Sequence, residues 1–339
     1  MRENALDQLL DRALDRAVAD EPDLTAARLD QGRLRLAADL RAAPTGRKRS
    51  WQPRRALVAA AVVAVVAAGG IVVQGLGGGE RAAAATLNRA ADLAASVSDQ
   101  PVGPDQFRYV RSRARGITVE LGENSAWSAG LVNERWIPAD PHREWMERQS
   151  DDGPATWVAG REGAGDPPAN PAQRNGEFRA PCGNFAYFAA TEPDRCTLAD
   201  WNHPTPEFLA GLPQDPKALY DRLVADGGDG EVGAFTAVRG ALGTGRYPAA
   251  VRALLYRALA HSPNLEVTDD RANLDGVTGT ALGLEVHGDF TELVIDPADG
   301  SYLGWREVAA DDSSLPRGTV RQSTSTTTGV ADTLGVAPR

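Results

Sequence analysis

The stretch Thr280–Val308, TALGLEVHGDFTELVIDPADGSYLGWREV, decides the fold class that the sequence predicts. Three runs rich in apolar and β-branched residues are separated by two short turns, Gly288-Asp289 and Pro297–Gly300. Strands joined by so few residues pair antiparallel, because a parallel connection needs about a dozen residues or more. We therefore predict sequential hairpins built from four strands, Leu265–Thr268, Thr280–His287, Thr291–Asp296 and Ser301–Val308.

The segment before these strands has the periodicity of a helix. Between Pro248 and His261 the apolar residues fall on one helical face, and they are Val251, Leu254, Leu255, Ala258 and Leu259. Pro248 is suited to the start of a helix and Pro263 to its end. We expect Pro248–His261 to cover one face of the sheet.

More strands are predicted towards the N-terminus, where aromatic and charged residues alternate. The run Asp151–Pro181 is rich in Gly, Pro and Asn, which predicts a long surface excursion. The polar, β-branched run Thr319–Thr328 predicts a closing edge strand. The predicted class is α+β, an antiparallel sheet with covering helices. The additional strands are Gln106–Arg113, Glu134–Ile137 and Arg143–Arg148.

Helices and loops complete this part of the chain. Ala82–Val97 has a helical pattern, and Asp215 followed by Pro216 is typical of an N-cap and first turn. The acidic run Asp226–Glu231 predicts a turn between helices, because it lacks the ligand spacing of an EF-hand. A loop is predicted at three glycines, Gly240, Gly243 and Gly245.

One stretch predicts a membrane span. Ala56–Val73, ALVAAAVVAVVAAGGIVV, contains no charged residue, and its 18 residues would form a helix of about 27 Å, close to the hydrocarbon thickness of roughly 30 Å. Its Val, Leu and Ile residues favour insertion by about 3–5 kcal/mol. A buried core helix would be shorter and would carry a polar stripe. We predict a transmembrane helix over residues 56–76.

The flanks of this span predict its orientation. Five basic residues precede it, which places the N-terminus in the cytoplasm by the positive-inside rule. A cleaved signal peptide is disfavoured, because its charged region would be 55 residues long. The predicted organisation is a cytoplasmic helical segment (1–46), a basic linker (47–55), the span, a flexible and helical juxtamembrane segment (77–103) and an exported domain (104–339). The basic residues are Arg47, Lys48, Arg49, Arg54 and Arg55.

Charge and cysteines restrict what the exported part does. The chain after the linker carries 24 basic and 37 acidic residues, and this acidic balance argues against nucleic acid as a partner. Cys182 and Cys196 both lie on the predicted outer side, where a disulfide is expected. It would stabilise the domain by about 3 kcal/mol in the chain-entropy model. A redox switch is the alternative, whereas a zinc site needs more ligands than the sequence groups here.

Residues 1–46 contain two short amphipathic patterns separated by Pro22. Helices of this length enclose little core, so they either dock on a partner or remain a weakly ordered tail.

No common catalytic motif is present. HExxH, GxSxG, SxxK and the Walker A pattern are absent, so we predict neither an enzyme nor a cofactor. His142 and Glu144 share a predicted strand face, but two such residues on a surface strand are typical of solvated side chains, and no metal is predicted. Three tryptophans have two interpretations, an apolar groove or packing beneath the helix, and they are Trp136, Trp145 and Trp305.

Nearly the whole chain resembles an uncharacterised family of actinobacterial single-pass membrane proteins, often associated with extracytoplasmic-function sigma factors. A basic cluster before an Ala/Val span carries the resemblance, together with six motifs in order. These are PDQFRYVRS (Pro104–Ser112), ERWIPADPHREWMER (Glu134–Arg148), LPQDPKALYDRL (Leu212–Leu223), ALLYRALAHSPNLEV (Ala253–Val267), LVIDPADGSYLGWREV (Leu293–Val308) and GVADTLG (Gly329–Gly335).

The resemblance implies an anti-sigma-like layout. It also implies an exported sheet similar to the half-barrels of envelope lipoprotein carriers and of proteins that restrain membrane anti-sigma factors. We therefore expect a regulatory membrane protein whose exported domain senses an unknown ligand and whose residues 1–46 contact a cytoplasmic regulator such as a sigma factor. The alternative is a membrane-anchored envelope module that binds an apolar or lipidic ligand beneath Pro248–His261.

Overall fold

The computed structural model describes residues 79–120, 125–159, 165–168, 174–185, 194–311 and 315–338. Within these ranges no helix combines the length and the apolar character needed to cross a membrane. The predicted cytoplasmic helices in residues 1–46, the basic linker 47–55 and the predicted span 56–76 lie outside the described residues. They remain predictions from the sequence.

The described strands form one open antiparallel sheet of ten strands. The strands are β1 (Phe107–Glu120), β2 (Ser125–Pro138), β3 (Glu144–Asp151), β4 (Thr156–Ala159), β5 (Gly176–Pro181), β6 (Glu266–Leu274), β7 (Val277–Val286), β8 (Asp289–Ile295), β9 (Tyr302–Ala309) and β10 (Val320–Ala331). Their order in the sheet is β5-β3-β2-β1-β10-β9-β8-β7-β6, and β4 pairs with β2 on the same edge as β3. The predicted hairpins of the C-terminal half are confirmed, since β7, β8 and β9 are sequential antiparallel neighbours.

Five described helices accompany the sheet, and local sequence explains their ends. Asp215 accepts a hydrogen bond from the Ala218 amide, Pro216 opens the first turn, and Gly228 ends the helix in the left-handed conformation. The α+β class predicted from the sequence is confirmed. The helices are α1 (Gly79–Ser96), α2 (Pro206–Ala210), α3 (Pro216–Gly227), α4 (Gly230–Gly243) and α5 (Ala249–Leu259).

The main core lies between the helices and one face of the sheet. Leu255 and Leu259 of α5 are fully buried in the same cluster as Leu282 and Leu293, and α1 adds Leu87. Each such leucine stabilises the fold by about 1.5–3 kcal/mol relative to an exposed position. The helix predicted over Pro248–His261 therefore covers the sheet, as expected from its periodicity.

The opposite face of the N-terminal strands has a smaller core closed by the C-terminal tail. Trp136 packs against Tyr109 with ring centroids 5.3 Å apart. The Trp136 indole N–H donates to the Val336 carbonyl at 2.9 Å, and Arg148 donates to the Gly335 carbonyl at 3.0 Å. The tail is thereby fixed across β2 and β3.

Two predictions of local structure were wrong. All of Thr319–Thr328 except its first residue lies within β10, which is a strand as predicted but pairs with both β1 and β9 and is not at an edge. The polar residues of β10 reflect its partly exposed face, and they do not indicate how many strands pair with it. Gly240 and Gly243 lie in α4 and not in a loop. At Gly240 glycine allows close packing, because a Cβ there would be 2.5 Å from the Asn202 side chain.

Candidate anion-binding site

A cavity of about 40 Å³ lies between the helix-covered face of β2–β3 and the connection from α4 to α5. The disulfide-bonded segment forms another part of its wall. Cationic and aromatic side chains dominate the lining, which includes Arg135, Trp145, Cys182, Arg195, His203 and Arg246.

Strand alternation and one glycine bring these side chains together. Trp145 is buried on the helix-covered face of β3, in a cluster with Val110. Gly245 has φ +64, and a Cβ there would lie 2.8 Å from the side chains of Val110 and Thr328. The chain after α4 therefore rests directly on the sheet. This close approach holds the Arg246 guanidinium 5.1 Å from the centre of the Trp145 ring.

Arg246 is the electrostatic centre of the cavity. Its Nη2 donates to the Pro204 carbonyl at 3.0 Å, and no carboxylate among the described residues forms a salt bridge with it. Burial is the main cause that lowers the pKa of Arg246 to about 10, and the nearby charge of Arg135 acts in the same direction. The side chain is still charged at neutral pH. An anion in the cavity would offset the cost of keeping that charge away from water.

A second arginine is positioned by a hydrogen-bonded chain. Arg195 Nη1 donates to His203 Nε2 at 2.8 Å, and His203 Nδ1 donates to Asp200 at 2.9 Å. Burial raises the pKa of Asp200, but the hydrogen bond from His203 and those from backbone amides outweigh it, so the pKa is lower than usual. Because Nε2 accepts from a guanidinium, this histidine orients an arginine and is not poised to remove a proton from a substrate.

The third arginine is already neutralised. Arg135 pairs with the fully buried Glu147, its neighbour across β2 and β3. Arg135 forms part of the cavity wall but adds little uncompensated charge. Arg246 is therefore the arginine of this wall whose charge has no carboxylate partner among the described residues, in contrast to Arg135.

The predicted disulfide between Cys182 and Cys196 is confirmed, with Cα atoms 5.2 Å apart. It connects the residue after β5 to the turn that carries Arg195. Asn184 supports the same turn, because its side-chain oxygen accepts from the Arg195 amide at 2.8 Å. The cross-link thereby fixes one wall of the cavity.

The three tryptophans of the predicted groove lie apart. Trp136 pairs with Met146 across β2 and β3, so Trp145 points to the opposite face of the sheet. Trp305 on β9 lies under the Arg239 guanidinium at 4.5 Å. Of the three, Trp145 lines the cationic cavity, whereas Trp136 is completely buried.

Sequence reasoning missed the arginines of this site. Arg135, Arg195 and Arg246 come from distant parts of the chain, and none belongs to a known catalytic or ligand-binding motif. The position of Arg195 next to Cys196 was the one local signal. Tertiary packing alone brings Arg246 onto Trp145.

A second cavity, of about 160 Å³, lies between α1 and the sheet. Its wall is mainly apolar and includes Ala85, Ala90, Leu93, Ile295 and Pro297. It differs in place from the apolar cavity expected beneath Pro248–His261, where Leu255 and Leu259 are packed without exposure.

Comparison with known proteins gives limited similarity. No protein-family model matches the chain, and no curated protein matches its sequence. A structure of the Pseudomonas aeruginosa MucA/MucB complex aligns with 76% of this chain and 59% of that chain, at 12% identity and a TM-score of 0.26. A DUF1329 family protein from Desulfovibrio piger aligns over 76% and 94%, at 8% identity and a TM-score of 0.20. At these values neither similarity carries an argument about function.

Proposed function

We propose that this chain is a non-catalytic regulatory protein of the cell membrane, with its N-terminus in the cytoplasm and its sheet domain outside. The exported domain binds a ligand that carries an anionic group in the cationic cavity. Residues 1–46 transmit the bound state to a cytoplasmic regulator such as a sigma factor. One observation carries the binding role: Arg246 is held in a concave site without a carboxylate partner among the described residues.

The chemistry of the cavity supports binding over catalysis. A guanidinium offers donors in a planar fork that fits a carboxylate or a phosphate. The Trp145 ring behind it and the Pro204 carbonyl at its edge fix the direction of that fork. The Thr244 hydroxyl donates to the Ala241 carbonyl at 2.7 Å, so it is engaged in the backbone and is not activated as a nucleophile.

The binding role is tested with inorganic phosphate and acetate on the full chain purified in detergent. We expect either anion to raise the free energy of unfolding, by about 2.7 kcal/mol at a concentration one hundred times the Kd. Arg246→Gln should abolish this gain. Arg257→Gln is the matched control, because it removes the same charge from an exposed pair with Asp92. Equal stabilisation of both variants at constant ionic strength would exclude the site.

The cytoplasmic role rests on the predicted two-sided layout and on the resemblance to proteins associated with extracytoplasmic-function sigma factors. Residues 1–46 should retain an extracytoplasmic-function sigma factor of the same cell in a pull-down experiment. Deleting them should change transcription that depends on that factor. Absence of both effects would remove this half of the proposal and leave the exported binding site in place.

A second candidate function is a membrane-anchored envelope module that holds an apolar or lipidic ligand, as a half-barrel carrier would. The cavity lined by α1 favours it, because its wall is mainly apolar. Mass spectrometry of the purified full chain should then detect a retained lipid. Ala85→Trp should displace that lipid by filling the cavity, whereas Ala95→Trp, on the same helix but outside the cavity lining, should retain it. A wild-type protein without lipid would reject this function.

A further inference from the structure

The fold brings a histidine to the disulfide from 40 residues away in sequence. His142 Nδ1 lies 3.8 Å from Cys182 Sγ. The potential ligand atoms of His142, Cys182 and Cys196 all lie within 4.8 Å of one another. The sequence showed two cysteines without further ligands nearby, and strand pairing supplies the third.

Backbone contacts that do not involve the sulfur atoms hold His142 in this place. The Cys182 amide donates to the Arg143 carbonyl at 3.1 Å, which joins the end of β5 to the residue after the histidine. The His142 amide donates to Asp140 at 3.0 Å, and the Trp145 indole donates to the Pro141 carbonyl at 2.7 Å. The histidine therefore stays beside residue 182 whether or not the disulfide is intact.

The spacing suits a tetrahedral metal ion. Zinc binds sulfur at about 2.3 Å and imidazole nitrogen at about 2.0–2.1 Å, so neighbouring ligand atoms in a tetrahedral site are about 3.5–3.8 Å apart. The separation of His142 Nδ1 and Cys182 Sγ has this value already. Disulfide sulfurs are poor ligands, because zinc requires thiolates.

We propose that reduction of the Cys182–Cys196 disulfide turns this corner into a binding site for Zn²⁺ with two cysteines and one histidine as ligands. A dithiol reductant delivers two electrons and two protons by thiol–disulfide exchange and leaves as its own disulfide. One sulfur keeps the electron pair of the broken sulfur–sulfur bond and the other takes the pair from the reductant, so that Cys182 and Cys196, each with one proton, become separate thiols. Zn²⁺ binds both as thiolates and releases their two protons, and a water molecule completes the coordination.

Metal binding would have a structural consequence at the cationic cavity, because Cys182 belongs to its wall. Reduction alone removes the covalent link between residues 182 and 196. Zn²⁺ restores a cross-link between the same two residues through its coordination bonds. The site thus keeps the turn that carries Arg195 attached to β5 in both redox states. This inference does not depend on the proposed anion binding.

The test uses the full chain in detergent, reduced with a phosphine and freed of reductant without oxygen. Competition with a chromophoric chelator should show one Zn²⁺ per reduced chain and none for the oxidised chain. Co²⁺ in the same site should give the absorption of a tetrahedral thiolate complex. Adding Zn²⁺ to the reduced protein should recover thermal stability that reduction removed.

His142→Ala separates this site from unspecific thiol binding, because it leaves both cysteines able to form the disulfide and the protein able to fold. We expect its reduced form to bind Zn²⁺ more than about tenfold more weakly, the lower limit for losing even an outer-shell partner. His261→Ala, an exposed histidine after α5, is the control and should bind as the wild type does. Unchanged affinity in His142→Ala, or no binding by the reduced wild type, would overturn the proposal.

Discussion

At the residue scale, a pair of glycines sets how closely α3 and α4 approach. A Cβ on Gly233 would lie 2.7 Å from the backbone of Gly227, and backbone atoms cannot move aside as a flexible side chain would. We predict that Gly233→Ala destabilises the domain by about 1–3 kcal/mol through overpacking. Gly243→Ala, in the same helix with nothing within 4 Å, should be neutral or stabilising by up to about 1 kcal/mol. Urea unfolding of both variants measures the difference, and equal stabilities would refute this account.

Residue patterns predicted some features of the fold and missed others. Phe235, Val238 and Leu242 fall at helical spacing in α4, but each glycine lowers helix propensity by up to about 1 kcal/mol and favours a loop interpretation. Cys182 and Cys196 were predicted to pair because two cysteines in an exported domain normally form a disulfide. Arg246 gave no signal, because burial of an arginine is decided by distant parts of the chain.

At the scale of elements, Asp152 after β3 links two arginines of β1. It accepts from Arg113 and Arg115, each at 2.8 Å. Burial raises the pKa of Asp152, but the two guanidinium groups outweigh it and the pKa is lower than usual. A lowered folded-state pKa stabilises the protein above the ordinary value near 3.8, and this stability is lost as pH falls through the lower folded value.

We therefore predict that Asp152→Asn weakens the protein at pH 7 by about 1 kcal/mol, since the arginines are partly exposed, and by less near pH 3. Unfolding by urea across this range measures the convergence of the two proteins. Asp151→Asn is the neighbouring control, because its carboxylate accepts from the neutral Asn175 amide. Parallel pH curves for Asp152→Asn and the wild type would contradict the prediction.

Element boundaries were predictable where one face of a strand is buried. β7, β8 and β9 were found from their runs of apolar and β-branched residues and from the short turns between them. β1 and β2 extend well past the predicted Gln106–Arg113 and Glu134–Ile137, to 14 residues each. The halves that include Gly116 and Gly130 pair with each other without an alternating apolar face, so periodicity did not predict how far they extend.

At the scale of the whole molecule, the oxidation state of the two cysteines is related to the compartment that the sequence predicts for the sheet domain. The predicted span 56–76 would insert with about 3–5 kcal/mol, and the basic residues before it would keep the N-terminus inside. Cysteines in an exported domain oxidise, whereas the same pair in the cytoplasm is kept reduced. The redox state of Cys182 and Cys196 in cells therefore tests whether the predicted span directs export of the sheet domain.

We predict that thiol alkylation of intact cells followed by mass spectrometry finds both cysteines oxidised in the full chain. A chain lacking residues 56–76 should carry two alkylated thiols, because its domain stays in the reducing cytoplasm. A chain lacking residues 1–46 is the control and should remain oxidised, since it keeps the linker and the span. Equal oxidation in the two deletion variants would show that this stretch does not direct export, and the two-sided organisation would then be wrong.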